Sequence, residues 1–364
     1  MNLTQLEKEK RKILSMASKR MLFLVFSAIL MAVLFAYSLT VGSADISMAE
    51  VFHGVMNRFF PDLFEVARRV CTVVWRLRMP RILIAVLAGA TLGMAGCSTQ
   101  AILKNPLATP YTLGVSAGAG FGASVWFIFG IGLLNGTYGV IGNAFLFSLI
   151  PAFLILMASR RMGIAPETVI LSGVAMAYIF AASNTILQFF ARDDALRASV
   201  FWLVGDLTRS AMYQVPYVSS AMVVIFLINM FLARDVNIIG MGDDDARGMG
   251  VNVEAVKKAI IISACLATSA VISFTGAIGF VGLLAPHISR LFIGSDHKFL
   301  IPASALLGAC LMIAADIVAR SLFAPVLLPV GAVTALLGGP LLLYLLLFRG
   351  RGRYRIRIRS HINS

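Results

Sequence analysis

The run MLFLVFSAILMAVLFAYSLTV, residues 21–41, contains no charged side chain. A helix needs about 20 apolar residues to cross the hydrocarbon core of a bilayer. A basic segment precedes the run, as in a signal peptide, but the apolar region of a signal peptide has only about 7–15 residues. The run therefore predicts a retained membrane-spanning helix.

The rest of the chain repeats this pattern. Of its 364 residues, 59% are hydrophobic and 13% are charged, which is too apolar for a soluble domain of this length. We predict an all-α, polytopic membrane protein with about ten transmembrane helices in one domain, residues 21–348. The predicted spans are 21–42, 82–103, 113–133, 138–158, 168–190, 215–233, 258–277, 280–293, 300–323 and 331–348.

Positive charge collects at the ends of these spans. The net charge of +14 therefore indicates contact with lipid headgroups, not with nucleic acid. Most of the Lys and Arg residues fall on one side, including the basic tails 1–20 and 349–364, and such residues favour the cytoplasm. We expect a multi-pass protein of the cell (inner) membrane with both termini cytoplasmic. The four cysteines are scattered, so we expect neither a disulfide framework nor a metal site.

Several ordered motifs resemble the FecCD family of permeases for vitamin B12, haem and iron–siderophore complexes. The resemblance covers about residues 76–348. Its main motifs are RLRMPR at 76–81, KNPLATP at 104–110, GDDDARGMGV at 242–251, GAIGFVGLLAPHISR at 276–290 and LPVGAVTALLGGP at 328–340.

The resemblance implies the fold of the vitamin B12 importer and a role as the permease of an ATP-driven (ABC) importer. It implies a homodimer with the translocation path at its axis, two cytoplasmic ATP-binding subunits and an external substrate-binding protein. The first expectation for the cargo is a ferric siderophore; cobalamin (or another corrinoid) and haem are alternatives. The chain is not expected to be an enzyme, because it lacks G-x-x-x-x-G-K-[ST]. ATP and Mg²⁺ are expected on the partner ATPase, and no cofactor on this chain.

An ion-coupled secondary transporter is the alternative from another class. Such a protein should carry acidic side chains within its spans for ion coupling. Asp316 is nearly alone in that position. An intramembrane acid is costly unless it is paired, and we expect Asp316 to have a structural partner in the bundle.

Small residues mark one face of the second and third spans. Gly89, Gly93 and Gly96 follow each other at helical spacing, and Gly114 and Gly118 repeat the pattern. Small residues allow helix backbones to approach closely in lipid. We predict helix packing at these positions, with a face on the transport path as the alternative.

Two short connections are candidates for an inner gate. Pro106 disfavours a helical conformation at Asn105, so the chain is expected to turn there. In the family, the positions that match Asn105 and Leu107 help to close the inner end of the path. The connection with Met162 and Gly163 is the second candidate by family position. An ordinary polar turn is the alternative.

Residues 234–258 form the longest predicted inner loop. The family resemblance makes this loop the element that couples to the ATPase, and a solvated linker is the alternative. The predicted coupling residues are Asp243, Asp244, Asp245, Ala246, Arg247, Gly248 and Gly250.

Two arginines are candidates for contact with the external binding protein. Arg78 and Arg320 match family arginines that pair with its glutamates, and both fall on the outer side of the predicted topology. Residues 43–81 around Arg78 could equally be an amphipathic stretch at the membrane interface.

Overall fold

The computed structural model describes residues 3–344 except 43, 45, 133 and 163, together with residue 347. These residues form α-helices and short 3₁₀ and π turns, and no strand occurs among them. The α-helices are α1 Leu3–Thr40, α2 Met48–Met56, α3 Arg68–Thr72, α4 Met79–Ile102, α5 Val115–Phe129, α6 Thr137–Met162, α7 Pro166–Phe189, α8 Asp193–Leu203, α9 Val215–Ile239, α10 Asp243–Gly248, α11 Val253–Thr275, α12 Val281–Ile293, α13 His297–Ser321 and α14 Val330–Tyr344.

Within the described part of the chain, seven helices are long and apolar enough to cross a membrane. Three shorter apolar helices, α5, α12 and α14, occupy the remaining predicted spans. The prediction of an all-α protein with about ten spans is therefore confirmed. The eighth span is as short as its Gly and Pro residues suggested, and it runs over only 13 residues in α12.

Residues 3–20, the predicted tail, continue as helix into α1, whose apolar span begins at Met16. One predicted boundary was wrong. The second span does not begin at residue 82, because a π-helical turn, Val73–Arg78, joins α3 to α4 in one apolar helix from Arg68 to Ile102. The reason is burial: Val70, Val74 and Ile82 pack in one cluster with Leu39 of α1.

Helices α4 and α13 run antiparallel in close contact. A Cβ atom added to Gly89 would lie 2.3 Å from the carbonyl oxygen of Gly308, and one added to Gly93 would lie 2.2 Å from that of Ser304. A Cβ on Gly96 would lie 1.8 Å from the carbonyl oxygen of Gly282 in α12. Larger side chains at these three glycines would therefore force the helices apart.

This contact defines two ends of the bundle. At the Arg78 end, α1 and α13 finish and α4 begins. At the Lys104 end, α4 finishes, α13 begins and the short helix α10 lies nearby.

Two irregular segments meet inside the bundle. The hydroxyl of Tyr111, in the connection before α5, donates to the carbonyl oxygen of Ile278 at 2.7 Å and accepts from its amide at 3.2 Å. Phe280 has a left-handed backbone, with φ +66°. A cavity of about 310 Å³ lies beside this junction. Irregular backbone at membrane depth occurs where protein or a cavity surrounds it, and both conditions hold here.

Gly114, the residue just before α5, marks a second close approach between helices. Its φ of +86° requires a left-handed conformation, and an added Cβ would lie 3.2 Å from the carbonyl oxygen of Gly173 in α7. A Cβ on Gly118 would lie 2.5 Å from the carbonyl oxygen of Phe147 in α6. Both glycines therefore stand where α5 touches its neighbours.

Candidate functional site

The short helix α10 turns one acidic side chain toward the protein. Asp243 accepts from Nζ of Lys104 at 2.9 Å and from Nζ of Lys257 at 2.5 Å. The same Lys257 Nζ donates to the carbonyl oxygen of Ile164 at 3.4 Å. The side chain of Lys257 is only 3% exposed. Asp243 is thus the acidic partner of a buried ammonium group.

The opposite face of α10 is open. The side chain of Asp244 is 97% exposed and forms an ion pair with Arg247 along the helix at 2.8 Å. Asp245, Gly248 and Gly250 are also exposed, and Ala246 is buried. Met241 and Met249, which the sequence reasoning did not select, expose apolar surface beside these charges. The predicted coupling residues therefore divide between an inner and an outer face.

The surroundings of Asp243 shift its acidity. Burial raises the pKa of the carboxyl group, but hydrogen bonds from Lys104 and Lys257 and the charges of both lysines outweigh burial, so its pKa lies below the ordinary value. An opposite charge this close favours the ionised form. Asp243 is therefore a carboxylate at neutral pH.

The first gate candidate lies beside α10. Asn105 directly follows Lys104, and its side-chain oxygen accepts from the amide of Leu107 at 2.9 Å, which fixes a turn. Leu107 is 46% exposed. A cavity of about 490 Å³ is lined by residues 103–106 and by side chains at the beginning of α7, Ile170 and Leu171 among them. The structure thus brings the Asn105 turn next to the start of α7.

The second gate candidate is only partly described. Met162 is the last residue of α6, and Gly163 lies outside the described residues. Ile164, the next residue, is connected to α11 through Lys257. The gate role of all four residues stays a prediction.

At the Arg78 end, a buried carboxylate lies between two arginines. Oδ1 of Asp316 is 2.6 Å from Nε of Arg81, and Oδ2 is 2.9 Å from Nε of Arg320. Asp316 has no exposed surface. The expected structural partner of this acid is therefore a pair of guanidinium groups. The sequence did not identify Arg81 as a partner of Asp316, because Arg81 lies in another helix, 235 residues away in the chain.

The two arginines proposed for docking are largely engaged by this chain. Arg78 donates to the carbonyl oxygens of Leu39 at 2.6 Å and Ala44 at 2.7 Å. Arg320 donates to the carbonyl oxygen of Val41 at 2.6 Å and to Ser38. Terminal carbonyls of a helix lack partners within it and attract positive charge. Both arginines thus stabilise the end of α1.

Both arginines are nearly buried. Arg78 and Arg320 are each about 5% exposed, since their guanidinium groups point to backbone carbonyl groups at and just after the end of α1. They reach a cavity of about 220 Å³ together with Arg76, whose side chain is exposed. Contact with a binding protein stays a prediction for both residues.

The described residues hold no group of three or more His, Cys, Asp or Glu side chains that could bind a metal ion.

Comparison with known proteins decides the family. The model of the FecCD transport family matches residues 30–348. The chain belongs to the FecCD transport family. The family resemblance inferred from the motifs is thereby confirmed.

Curated relatives of this FecCD chain are permeases. An ABC transporter permease protein of Methanocaldococcus jannaschii is 40% identical over 89% of this chain and 94% of its own length. The Fe(3+)-citrate import system permease protein of Bacillus subtilis is 33% identical, covering 91% of this chain and 96% of its own. The cobalamin import system permease protein of Halobacterium salinarum is 37% identical, with 79% and 76% covered.

A solved structure agrees. It is described as an inward-facing conformation of a metal-chelate type ABC transporter, and it matches with a TM-score of 0.79 and 27% identity over 90% of this chain and 98% of its own. This FecCD chain is therefore the multi-pass permease subunit of an ABC importer for metal chelates. In such systems the ATPase is a separate subunit.

Proposed function

We propose that this permease imports a ferric siderophore, driven by ATP on a partner subunit. The similarity to the ferric citrate permease of Bacillus subtilis carries the proposal, because it spans 91% of this chain. The cobalamin permease covers 79%. The alignment with the ferric citrate permease therefore covers more of this chain, although the cobalamin permease has the higher sequence identity. Cobalamin and haem are the competing cargoes.

The Lys104 end is the cytoplasmic end in this proposal, and α10 is the contact with the ATPase. Three features support it: the exposed charges of Asp244 and Arg247, the exposed apolar surface of Met249, and the excess of Lys and Arg at this end. ATP and Mg²⁺ belong to the two partner ATPases. This orientation puts the Arg78 end outside, where an external binding protein would deliver the cargo.

A second copy of the chain would complete the transport path. The cavity at the Asn105 turn is lined by the start of α7, so a path through this gate continues along α7. That helix exposes Leu171, Tyr178 and Phe189, with 73%, 74% and 83% of their surfaces open. A homodimer with α7 near its axis would cover these side chains or set them on the path.

The ion-coupled alternative is disfavoured by Asp316. Its two oxygens already contact Arg81 and Arg320. A carboxylate held in this way is not available for a coupling ion.

Reconstitution tests the proposal. The permease, the ATPase encoded beside it and the neighbouring binding protein are placed in liposomes. Uptake of a ferric siderophore, cobalamin and haem is compared with and without internal ATP. ATP-dependent accumulation of the siderophore alone is expected. Accumulation of cobalamin or haem instead would show that the proposed cargo is wrong. Uptake driven by an ion gradient without ATP would overturn the ABC mechanism.

A further inference from the structure

Asp243 contacts two other segments of the chain directly and a third through Lys257. Asp243 belongs to α10, Lys104 lies between α4 and α5, and Lys257 lies near the beginning of α11. Through Lys257 the contact reaches Ile164 between α6 and α7. The two connections reached in this way are the two that carry the gate candidates.

The contact is selective within α10. Asp243, Asp244 and Asp245 are identical side chains in sequence, yet only Asp243 has bonds to other segments among those the structure describes. Its side chain is 29% exposed, against 97% for Asp244. Asp243 therefore faces the protein while its neighbour faces solvent.

Lys104 directly precedes the Asn105 turn, so a shift of Lys104 would change the position of that turn. Its backbone is left-handed, with φ +48°, a conformation that few non-glycine residues adopt. The Asn105 turn begins at the next residue. Displacement of the Lys104 side chain would therefore act on the bend that precedes Leu107.

Lys257, the buried partner of Asp243, is also held in place. An ammonium group as enclosed as that of Lys257 is costly without a charged partner. If α10 moves, Lys257 must follow Asp243 or lose its charge pair. Following it means pulling on the carbonyl oxygen of Ile164.

We propose that Asp243 is a positioning residue that transmits movement of α10 to both gate connections. The Asp243 junction, which comprises Asp243, Lys104, Lys257 and Ile164, links the ATPase-facing helix to the inner end of the path by side-chain contacts. The inference rests on the proposed role of α10 as the ATPase contact. The partner touches the outer face of α10, and the inner face passes the displacement on.

The test uses the full complex of permease, ATPase and binding protein in liposomes. Asp243→Asn removes the charge and keeps the shape. Two quantities are measured: cargo transported per ATP hydrolysed, and labelling of a Leu107→Cys variant by a membrane-impermeant thiol reagent with and without ATP. For Asp243→Asn we expect normal assembly with the ATPase, a fall in cargo per ATP of about fivefold or more, the lower end of ordinary coupling factors, and loss of the ATP-dependent change in labelling.

Asp244→Asn is the matched contrast, one residue away on the outer face. It should weaken binding of the ATPase while complexes that do form keep the ATP-dependent labelling change. Asp194→Asn, an exposed acid in α8, is the neutral control. If Asp243→Asn weakens ATPase binding as Asp244→Asn does and leaves labelling responsive, Asp243 is a partner contact and the proposal is overturned.

A second variant tests the junction if Asp243→Asn fails to fold. Lys104→Gln removes one arm of the junction at a side chain that is 42% exposed, so it leaves no buried charge behind. It should also lower cargo per ATP, and combining it with Asp243→Asn should add little, because both break the same contact. Additive losses would contradict the junction. If the complex without these substitutions shows no ATP-dependent labelling at Leu107→Cys, the proposed gate fails, a result distinct from failure of the junction alone.

Discussion

Gly89 and Gly308 face each other across the contact of α4 with α13, and each lies against the carbonyl oxygen of the other. A Cβ atom added to Gly89 would come to 2.3 Å from that oxygen, and one added to Gly308 would come to 2.2 Å. A carbon atom and a carbonyl oxygen that are not bonded to each other do not come so close, so a side chain at either glycine would push the helices apart. The pair therefore fixes the distance between the two helices.

Gly308→Ala should destabilise the protein by about 1–3 kcal/mol, the usual cost of overpacking a tight core. Thermal unfolding of the detergent-solubilised protein measures the effect. Gly248→Ala is the control, because an added Cβ there meets no atom within 4 Å. Equal unfolding temperatures for the two variants would contradict the close contact.

Asp316→Asn should cost about 3–5 kcal/mol, the range for breaking a buried ion pair by removing one partner. The substitution leaves Arg81 and Arg320 without their only described carboxylate. Glu254→Gln is the comparison: its pair with Lys258 is open to solvent at 3.6 Å, and exposed pairs contribute about 0–1 kcal/mol. Denaturant unfolding of both variants measures the difference, and similar losses would mean that Asp316 is not held as described.

Arg76→Glu should weaken docking of the external binding protein, mainly by slowing association. Arg76 is exposed at the Arg78 end, and exposed charges at a rim act chiefly on the association rate and on salt dependence. Association rates at low and high salt give the test. Arg78→Gln should instead lower thermal stability, because Arg78 holds carbonyl groups at the end of α1. A docking defect in Arg78→Gln without loss of stability would reverse these roles.

Gly338→Ala and Gly339→Ala should differ although the residues are adjacent. A Cβ on Gly338 would lie 2.7 Å from Cβ of Phe280, whereas on Gly339 the nearest atom is 4.0 Å away. Phe280 belongs to the irregular segment that meets Tyr111. Only Gly338→Ala should therefore perturb this junction, and lower the unfolding temperature. A comparable loss in Gly339→Ala would place the sensitivity elsewhere in α14.

Coupling through Asp243 should not depend on pH between about 5 and 8. The pKa of its carboxyl group lies below the ordinary value of 3.8. A lowered pKa means that the stabilising contribution is complete above the ordinary value and is lost only as pH falls through the folded-state pKa. Cargo transported per ATP, measured across this range, should show no step assigned to Asp243. A step that disappears in Asp243→Asn would contradict the lowered pKa.

The sequence predicted the spans well because length and hydrophobicity decide whether a helix fits a bilayer. It predicted that Asp316 needs a partner, since an unpaired acid there is costly. The identity of that partner depends on the antiparallel contact of α4 with α13, which no local pattern reveals. The end of α5 at Phe129, earlier than expected, follows from Gly130, whose φ is +66°.

The inward turn of Asp243 left a faint signal in the sequence. Residues three positions apart lie on one side of a helix, and Ala246 is the one apolar residue among 243–248. A buried Ala246 places Asp243 on the inner side as well. The lysines that meet it come from positions 104 and 257, and their approach required the folded structure.

The π turn at Val73–Arg78 has a consequence for how the Arg78 end is aimed. A π turn holds one residue more per hydrogen-bonded ring than an α turn, so it acts as a single surplus residue within one long helix. The surplus residue is taken up inside the turn, so Val70 before it and Ile82 after it still face Leu39 of α1 in one cluster. Removing one residue from the turn would therefore leave α3 and α4 facing their present neighbours and would change the direction of the side chains within the turn, Arg76 and Arg78 among them. The direction of these two arginines at this end of the bundle is thus set by a feature one residue long.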